Sequence, residues 1–337
     1  MNIRKEIIRV TSEYFEDQRD YQKLLNASKE FKSILNAICE QDMDNKEGRK
    51  DIEYENGKAL GTFWAALCLD DLVRTRQFIR GIDKAIKDKK KKKPIHILYA
   101  GTGPFATLIL PIIFRYRKED IKYTLLEVNQ FTFQILQNVI SKLGLKEYDI
   151  DLVNVDATKF QIDSKKPPDI IISETMQNAL AKEQQVSIYL NLMRQVTSDT
   201  VFIPEKIELH LGLKKAGIPS EELQIHHFNK VEKVFEVSKA SMFPEKQPER
   251  QIIAKNSFAK RKTVIESKML KGFNQLVIIT EIQVYKNEKI IINESGLTIP
   301  RLIQQIPKNL KNSIIIDTQY QISSKPKLEY KITLSDN

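Results

Sequence analysis

The sequence has few of the residues from which disulfide frameworks and metal centres are built. Only two cysteines, Cys39 and Cys68, and four histidines occur among 337 residues. The cysteines do not have the spacing of metal ligands, and His226 and His227 have no cysteine or aspartate cluster nearby. We therefore expect two reduced thiols in a cytoplasmic protein, and no metal site.

Long apolar runs are also absent. None reaches the ~18 to 20 residues that a membrane span requires. The first 18 residues, MNIRKEIIRVTSEYFEDQ, are charged and amphipathic and lack the apolar core of a signal peptide. A hydrophobic content of 41% and a charged content of 29% predict an ordinary globular protein. The length predicts two domains and a sizeable core.

The net charge is +10, and part of it lies in the unbroken run Lys89 to Lys93. Such a run is typical of a solvated helix end that leads into the next strand. The alternative is a docking patch for an acidic partner or nucleic acid. No interleaved aromatic residues and no RNA-binding motif support that alternative, so nucleic acid is not an expected partner.

The spacing of apolar residues changes twice along the chain. Residues 1–93 show helical spacing, and residues 94–205 alternate apolar strands with helices. Such alternation predicts a parallel sheet buried on both faces, a Rossmann-like core. Residues 206–337 carry strands broken by Asn, Ser, Lys and Pro, which indicates an antiparallel, barrel-like domain. The predicted fold class is therefore α/β, with N-terminal helices and a β-rich C-terminal domain.

A glycine turn follows the first predicted strand of the core, in PIHILYAGTGPFATLILPII, residues 94–113. Gly101 and Gly103 lie between this strand and a predicted helix, and ligands of doubly wound sheets bind at such turns. The dinucleotide fingerprint with a third glycine is not met, because Ala106 stands at that position. The turn therefore predicts a nucleotide-like ligand whose type stays open.

Two acids follow the next two strands. Glu127, in YTLLEVN, ends the second strand and could accept both hydroxyls of a ribose. NAD enzymes and S-adenosylmethionine enzymes share this arrangement. Asp156 follows the third strand and could face an adenine amino group; the alternative is a turn or helix-capping role.

These segments resemble a class I S-adenosylmethionine-dependent methyltransferase, and within that superfamily the protein arginine methyltransferases. YAGTGPFATL is similar to the family's donor-binding loop, and LLEVN to its ribose-binding strand. DDLVRTRQFIRGI, residues 70–82, looks like the helix whose arginine holds the donor carboxylate, a role that falls on Arg74. The resemblance covers roughly residues 50–210, and KLEYKITL is similar to the last barrel strand. It implies that Gly101, Gly103, Glu127, Asp156 and Arg74 hold S-adenosylmethionine.

DIIISETMQNALAKE supplies two further carboxylates, Glu174 at a strand end and Glu183 nine residues later. Two carboxylates suit a guanidinium substrate, which is planar and effectively always charged. The resembling family has a double-glutamate loop with this spacing. The resemblance therefore implies that both glutamates grip the acceptor in an N-methyltransferase that acts on a guanidinium. The alternative for Glu183 is a solvated residue at a helix start.

Two features depart from the family. The aromatic Thr-His-Trp loop of the barrel has no counterpart, and Tyr99 and Ala100 replace the usual acid at the end of the first strand. The acceptor is therefore a protein or peptide arginine, a free guanidino compound or an amine. The alternatives are a biosynthetic small-molecule N- or O-methyltransferase and a non-catalytic scaffold that retains the fold. The missing third glycine and the Arg74 helix argue against an NAD-dependent oxidoreductase.

The resemblance also implies an assembly. Arginine methyltransferases usually dimerise, and residues 213–231 form a long irregular excursion that could serve as a dimerisation arm. We expect a homodimer.

Overall fold

The computed structural model describes residues 3–89, 94–218, 224–242, 252–254, 257–307 and 310–335. Within these ranges, helices precede a parallel sheet, and two antiparallel sheets follow it. Residues 90–93, most of the lysine run, lie outside the described residues. No helix of the described part has the length and apolarity to cross a membrane.

The N-terminal segment forms helices, as the spacing of apolar residues predicts. Asp20 caps the second of them, because its side chain accepts a hydrogen bond from the backbone N–H of Lys23. The apolar faces of these helices are buried around Phe31 and Phe78. The helices are α1 (Ile3–Val10), α2 (Tyr21–Cys39), α3 (Thr62–Leu67) and α4 (Leu72–Lys89).

A short hairpin precedes α3, within the stretch 1–93 whose apolar spacing predicts helices. Strands β1 (Ile52–Tyr54) and β2 (Gly57–Ala59) pair antiparallel, with Tyr54 opposite Gly57. Gly57 has a φ of 131°, a conformation that residues with a Cβ avoid. The dipeptide Asn56-Gly57 is a hairpin-turn signal. The helical prediction for Lys58 was therefore wrong, and Lys58 lies on a strand.

The core sheet has five parallel strands in the spatial order β5-β4-β3-β6-β7. From β3, the chain adds β4 and β5 on one side of the sheet, and then β6 and β7 on the other side. The order in which strands are added therefore reverses between β3 and β6. Ligands of such sheets bind beyond the carboxyl ends of the strands at this switch point. The strands are β3 (Ile95–Ala100), β4 (Ile121–Glu127), β5 (Ile150–Asn154), β6 (Ile170–Ser173) and β7 (Val201–Ile203).

Three helices connect strands of this sheet. Helices α6 (Gln130–Lys142) and α7 (Gln185–Met193) lie where their apolar spacing predicts them. The predicted helix after the glycine turn is reduced to α5 (Leu110–Ile113), preceded by turns. Ala106 has a φ of 44°, which interrupts a right-handed helix. Pro111 is tolerated only in the first helical turn, so the helix begins just before it.

The strand-rich half contains two antiparallel sheets. In the first, β13 (Gln275–Tyr285) pairs with β8 on one side and with β14 and β15 on the other, and β8 also pairs with β9. In the second, β16 (Ile314–Gln321) pairs with β11, β12 and β17, and β10 pairs with β11. The remaining strands are β8 (Lys206–Lys214), β9 (Phe228–Ser238), β10 (Ile252–Ala254), β11 (Ser257–Phe258), β12 (Arg261–Ile265), β14 (Glu288–Ile290), β15 (Arg301–Gln305) and β17 (Lys327–Leu334). The short helix α8 (Lys239–Met242) follows β9.

The excursion at residues 213–231 is narrower than the sequence suggests. Its two ends belong to the β8–β9 pair, where Leu213 lies opposite Asn229. Residues 215–227 lie between the two strands, and residues 219–223 of this range lie outside the described residues. The dimerisation role of the excursion stays a prediction.

Helix α4 joins the helical segment to the strand-rich half. Gly81 lies so close to β13 that a Cβ there would be 2.6 Å from Val284 Cγ1. The Gln77 amide donates to the backbone carbonyl of Lys289 at 2.7 Å, and Arg80 Nε donates to Glu288 at 3.2 Å. These buried contacts fix the helix that carries Arg74.

Candidate functional site

The glycine turn after β3 is shaped by close packing. Gly101 has a φ of 77°, and a Cβ there would lie 2.3 Å from the Thr175 side chain. Gly103 has a φ of 64°. Any larger residue at position 101 would therefore be strained and would collide with the segment that follows β6. The turn leaves its backbone exposed to the cavity beyond the sheet.

Glu127 ends β4 and holds this turn in place. Its carboxylate accepts hydrogen bonds from the backbone N–H groups of Gly103 and Asn129, both at 2.9 Å. Burial raises the pKa of Glu127, and the hydrogen bonds from Asn129 and Gly103 oppose that effect. A carboxylate offers about four lone-pair positions, so part of its accepting capacity remains for ligand hydroxyls.

Asp156 lies apart from these residues. Its side chain accepts a hydrogen bond from the Thr158 backbone N–H at 2.8 Å, so it closes a turn after β5. It lines a neighbouring cavity, whereas the adjacent residues Val155 and Ala157 line the main one. The adenine contact of Asp156 stays a prediction.

Arg74 and Glu174 form a buried ion pair. Arg74 lies in the first turn of α4, where its backbone N–H donates to the capping side chain of Asp71 at 3.1 Å. Glu174 follows β6 directly and is 7% exposed. Both Arg74 Nε and Glu174 Oε1 are buried. Within the described residues, Arg74 Nε donates no hydrogen bond and Glu174 Oε1 accepts none. Buried polar atoms without partners cost free energy, so these two point to a ligand.

Glu183 approaches from the other end of the same loop. It is 6% exposed, and its backbone forms a parallel bridge with Lys58 of β2. Burial raises the pKa of Glu183 to about 7, although the charges of Arg74 and Lys58 and a hydrogen bond from Gln177 oppose the rise. The Lys58 ammonium pairs with Asp51. Glu183 is therefore a buried carboxyl that changes charge near neutral pH.

All the predicted site residues except Asp156 line one cavity of about 870 Å³, a volume that includes the open space at its mouth. The charged side chains of its lining are three carboxylates and two cations, so the wall carries one excess negative charge when Glu183 is ionised. These charged residues are Lys58, Arg74, Glu127, Glu174 and Glu183. The excess favours a cationic ligand.

Two residues of the site carried little signal in the sequence. Lys58 stands in a stretch predicted to be helical, and only the Asn56-Gly57 turn signal could have placed it on a strand. Asp71 accepts hydrogen bonds from Ser295 Oγ at 2.6 Å and from the Gly296 backbone N–H at 2.9 Å. It thereby ties the start of α4 to a segment more than 200 residues away, which local patterns cannot predict.

Comparison with solved structures shows where this architecture occurs. The chain is similar to the Trypanosoma brucei PRMT1 enzyme-prozyme heterotetrameric complex with AdoHcy, with a TM-score of 0.51 at 12% sequence identity. The match covers 80% of this chain and 92% of that chain. No family model matches the sequence, and no curated protein matches it. The likeness confirms the predicted fold class: an α/β Rossmann-like core with N-terminal helices and a β-rich C-terminal domain.

Proposed function

We propose that the protein is an S-adenosylmethionine-dependent N-methyltransferase of the arginine-methyltransferase type that acts on a guanidinium group. One observation carries the proposal. Glu174 and Glu183 line the same cavity as Gly101, Gly103 and Glu127. An acceptor held by the two glutamates would therefore lie beside a donor held by the glycine turn.

The residues present fit the donor. Gly101 and Gly103 line the cavity, where their backbone can face the ligand, and Glu127 keeps acceptor capacity for ribose hydroxyls. Arg74 has a buried Nε without a partner among the described residues, which suits the donor's carboxylate. When bound, S-adenosylmethionine supplies an electrophilic methyl group on a positively charged sulfur, and the protein supplies position.

The two glutamates suit a guanidinium acceptor. A guanidinium presents five donors in a rigid fork, and two carboxylates can accept from it in bidentate fashion. The unpartnered Oε1 of Glu174 offers one such acceptor. The negative excess of the cavity wall offsets the cost of burying the guanidinium charge.

Glu183 also suits the removal of a proton. As the N–CH₃ bond forms and the methyl–sulfur bond breaks, one proton must leave the acceptor nitrogen. The raised pKa of Glu183, about 7, matches the range in which a carboxylate can accept that proton. Alignment of the reacting atoms supplies most of the remaining effect.

The test compares donor binding with turnover in Glu174→Gln and Glu183→Gln. Calorimetry should give near wild-type affinity for S-adenosylhomocysteine in Glu183→Gln, because Glu183 is not proposed to hold the donor, whereas Glu174→Gln also removes the ion pair of Arg74 and can change donor affinity. Methyl transfer to an arginine-rich peptide should fall roughly a hundredfold, which corresponds to ~3 kcal/mol of lost transition-state stabilisation. Glu232→Gln, an exposed glutamate on β9, is the control.

Three outcomes contradict the proposal. Tighter binding of NAD than of S-adenosylmethionine would exclude the donor. Full activity in both variants would leave the small-molecule methyltransferase as the better hypothesis. Donor binding by the wild type without transfer to any guanidinium or amine acceptor would favour the scaffold.

A further inference from the structure

The segment between the two glutamates has an unusual backbone. Ala179, Leu180 and Lys182 have φ values of 58°, 51° and 69°. Residues other than glycine are strained in this region, and they persist only where the surrounding structure holds them. The loop 175–182 must therefore be held from outside.

The strand-rich half forms hydrogen bonds with the backbone of this loop. The Tyr320 hydroxyl donates to the Leu180 carbonyl at 2.6 Å, and the Ala179 backbone N–H donates to Thr280 Oγ1 at 2.9 Å. The Lys182 backbone N–H donates to the Pro326 carbonyl at 2.8 Å. Each strained residue thus has a hydrogen-bond partner in β13, in β16 or just before β17.

Tyr320 is itself rigid. It is 1% exposed, and its ring stacks on Phe235 with 4.3 Å between centroids and 2° between planes. Phe258 contacts the same ring edge-on at 5.8 Å. The aromatic cluster fixes the ring, so the hydroxyl meets Leu180 without further loss of side-chain entropy.

We propose that Tyr320 is a positioning residue of the site: through Leu180 it sets the place of Glu183 in the cavity, and Thr280 acts beside it through Ala179. The inference rests on the proposed function for the role of Glu183. It adds that the acceptor end of the site depends on a side chain 140 residues away in the sequence, which touches neither ligand.

Tyr320→Phe keeps the stacked ring and removes only the hydroxyl. Tyr189→Phe is the matched control, because Tyr189 is also fully buried and donates to a backbone carbonyl, that of Pro204, at 2.9 Å. Both variants should lose similar stability. We expect Tyr320→Phe to lower kcat about tenfold with donor affinity unchanged, since one hydrogen bond is lost. Tyr189→Phe should leave kcat unchanged.

A double mutant tests whether Tyr320 acts through Glu183. In the Glu183→Gln background, Tyr320→Phe should lower the residual kcat by less than twofold, because the group it positions is already gone. A further tenfold loss in that background would show that Tyr320 acts elsewhere and would overturn the proposal.

Proteolysis gives a readout that needs no acceptor. Lys182 is exposed, and trypsin cleavage after it requires local opening of the loop. Mass spectrometry should show faster cleavage after Lys182 in Tyr320→Phe, and wild-type cleavage in Tyr189→Phe. Faster cleavage supports the anchoring even if the wild type methylates no guanidinium, a result that counts against the proposed function alone. Unchanged cleavage overturns the anchoring.

Thr280 provides a rescue experiment. Thr280→Val removes the acceptor for the Ala179 N–H and should raise cleavage after Lys182, whereas Thr280→Ser keeps the oxygen and should restore the wild-type rate. Thr318→Val is the control, because the buried hydroxyl of Thr318 has no partner among the described residues. Equal effects of the valine and serine variants would contradict the role of the oxygen.

Discussion

Burial disfavours the ionised carboxylate of Glu183, so we expect this charge to lower the stability of the folded protein at high pH. Burial raises its pKa from an ordinary 4.5 to about 7. Glu183→Gln keeps the size of the side chain and removes the charge. We expect the variant to be more stable than the wild type at pH 8, although it is less active.

The sign and size follow from the linkage between proton binding and folding. Below pH 4.5 the carboxyl is protonated in both the folded and the unfolded protein, so its burial has no ionic cost. As pH rises towards 7, the unfolded chain loses the proton first, and stability is lost. Above pH 7 the full cost is present, about 3 kcal/mol at 1.36 kcal/mol for each pH unit between the two values.

The assay is thermal unfolding of the protein without ligand at pH 5 and pH 8. For 337 residues, an unfolding entropy of ~2.1 cal/mol/K per residue gives roughly 0.7 kcal/mol per kelvin. The variant should therefore unfold about 4 °C higher at pH 8, and close to the wild type at pH 5. Glu232→Gln should change neither midpoint.

Two results would refute this reasoning. An equal shift at both pH values would mean that the glutamine stabilises by packing, not by the loss of charge. A lower midpoint at pH 8 would mean that the charges of Arg74 and Lys58 outweigh burial, so that Glu183 is ionised with a low pKa.

Three further predictions concern the donor end and the assembly. Gly101→Ala should destabilise by several kcal/mol more than Gly144→Ala in urea unfolding, because both have positive φ but only Gly101 would place a Cβ against Thr175; equal losses would contradict the packing argument. Arg74→Lys should weaken calorimetric binding of S-adenosylhomocysteine about tenfold, since lysine cannot pair in bidentate fashion, and unchanged affinity in both Arg74→Lys and Arg74→Ala would exclude the carboxylate contact. Light scattering at micromolar concentration should give a homodimer, and the monomer mass of 39.1 kDa would reject it.

Much of the site was predictable because parallel strands bring their carboxyl ends to one edge. Gly101, Glu127 and Glu174 each follow a continuous apolar strand, and such strands are easy to recognise. Their meeting at one cavity therefore follows from strand order alone. The glycine turn needed no long-range information either, since Gly101 and its neighbours stand between a strand and an apolar segment.

What the sequence did not predict has local or long-range causes. The short α5 results from the positive φ of Ala106, which the sequence does not predict because alanine rarely adopts that conformation. The side chain of Asp156 accepts a hydrogen bond from the backbone N–H of Thr158. Such local hydrogen bonds compete with ligand contacts for an aspartate in a turn. The pairing of Arg74 with Glu174 depends on how α4 docks, and its docking partners lie in the strand-rich half.

The costs of the site are concentrated between Glu174 and Glu183. The buried charge of Glu183 and the three left-handed residues of the loop all oppose folding. Thr280 and Tyr320 form hydrogen bonds directly with two of the strained residues. The strand-rich half therefore contributes hydrogen bonds that hold the left-handed residues of this loop, and Glu183 lies at the end of the same loop.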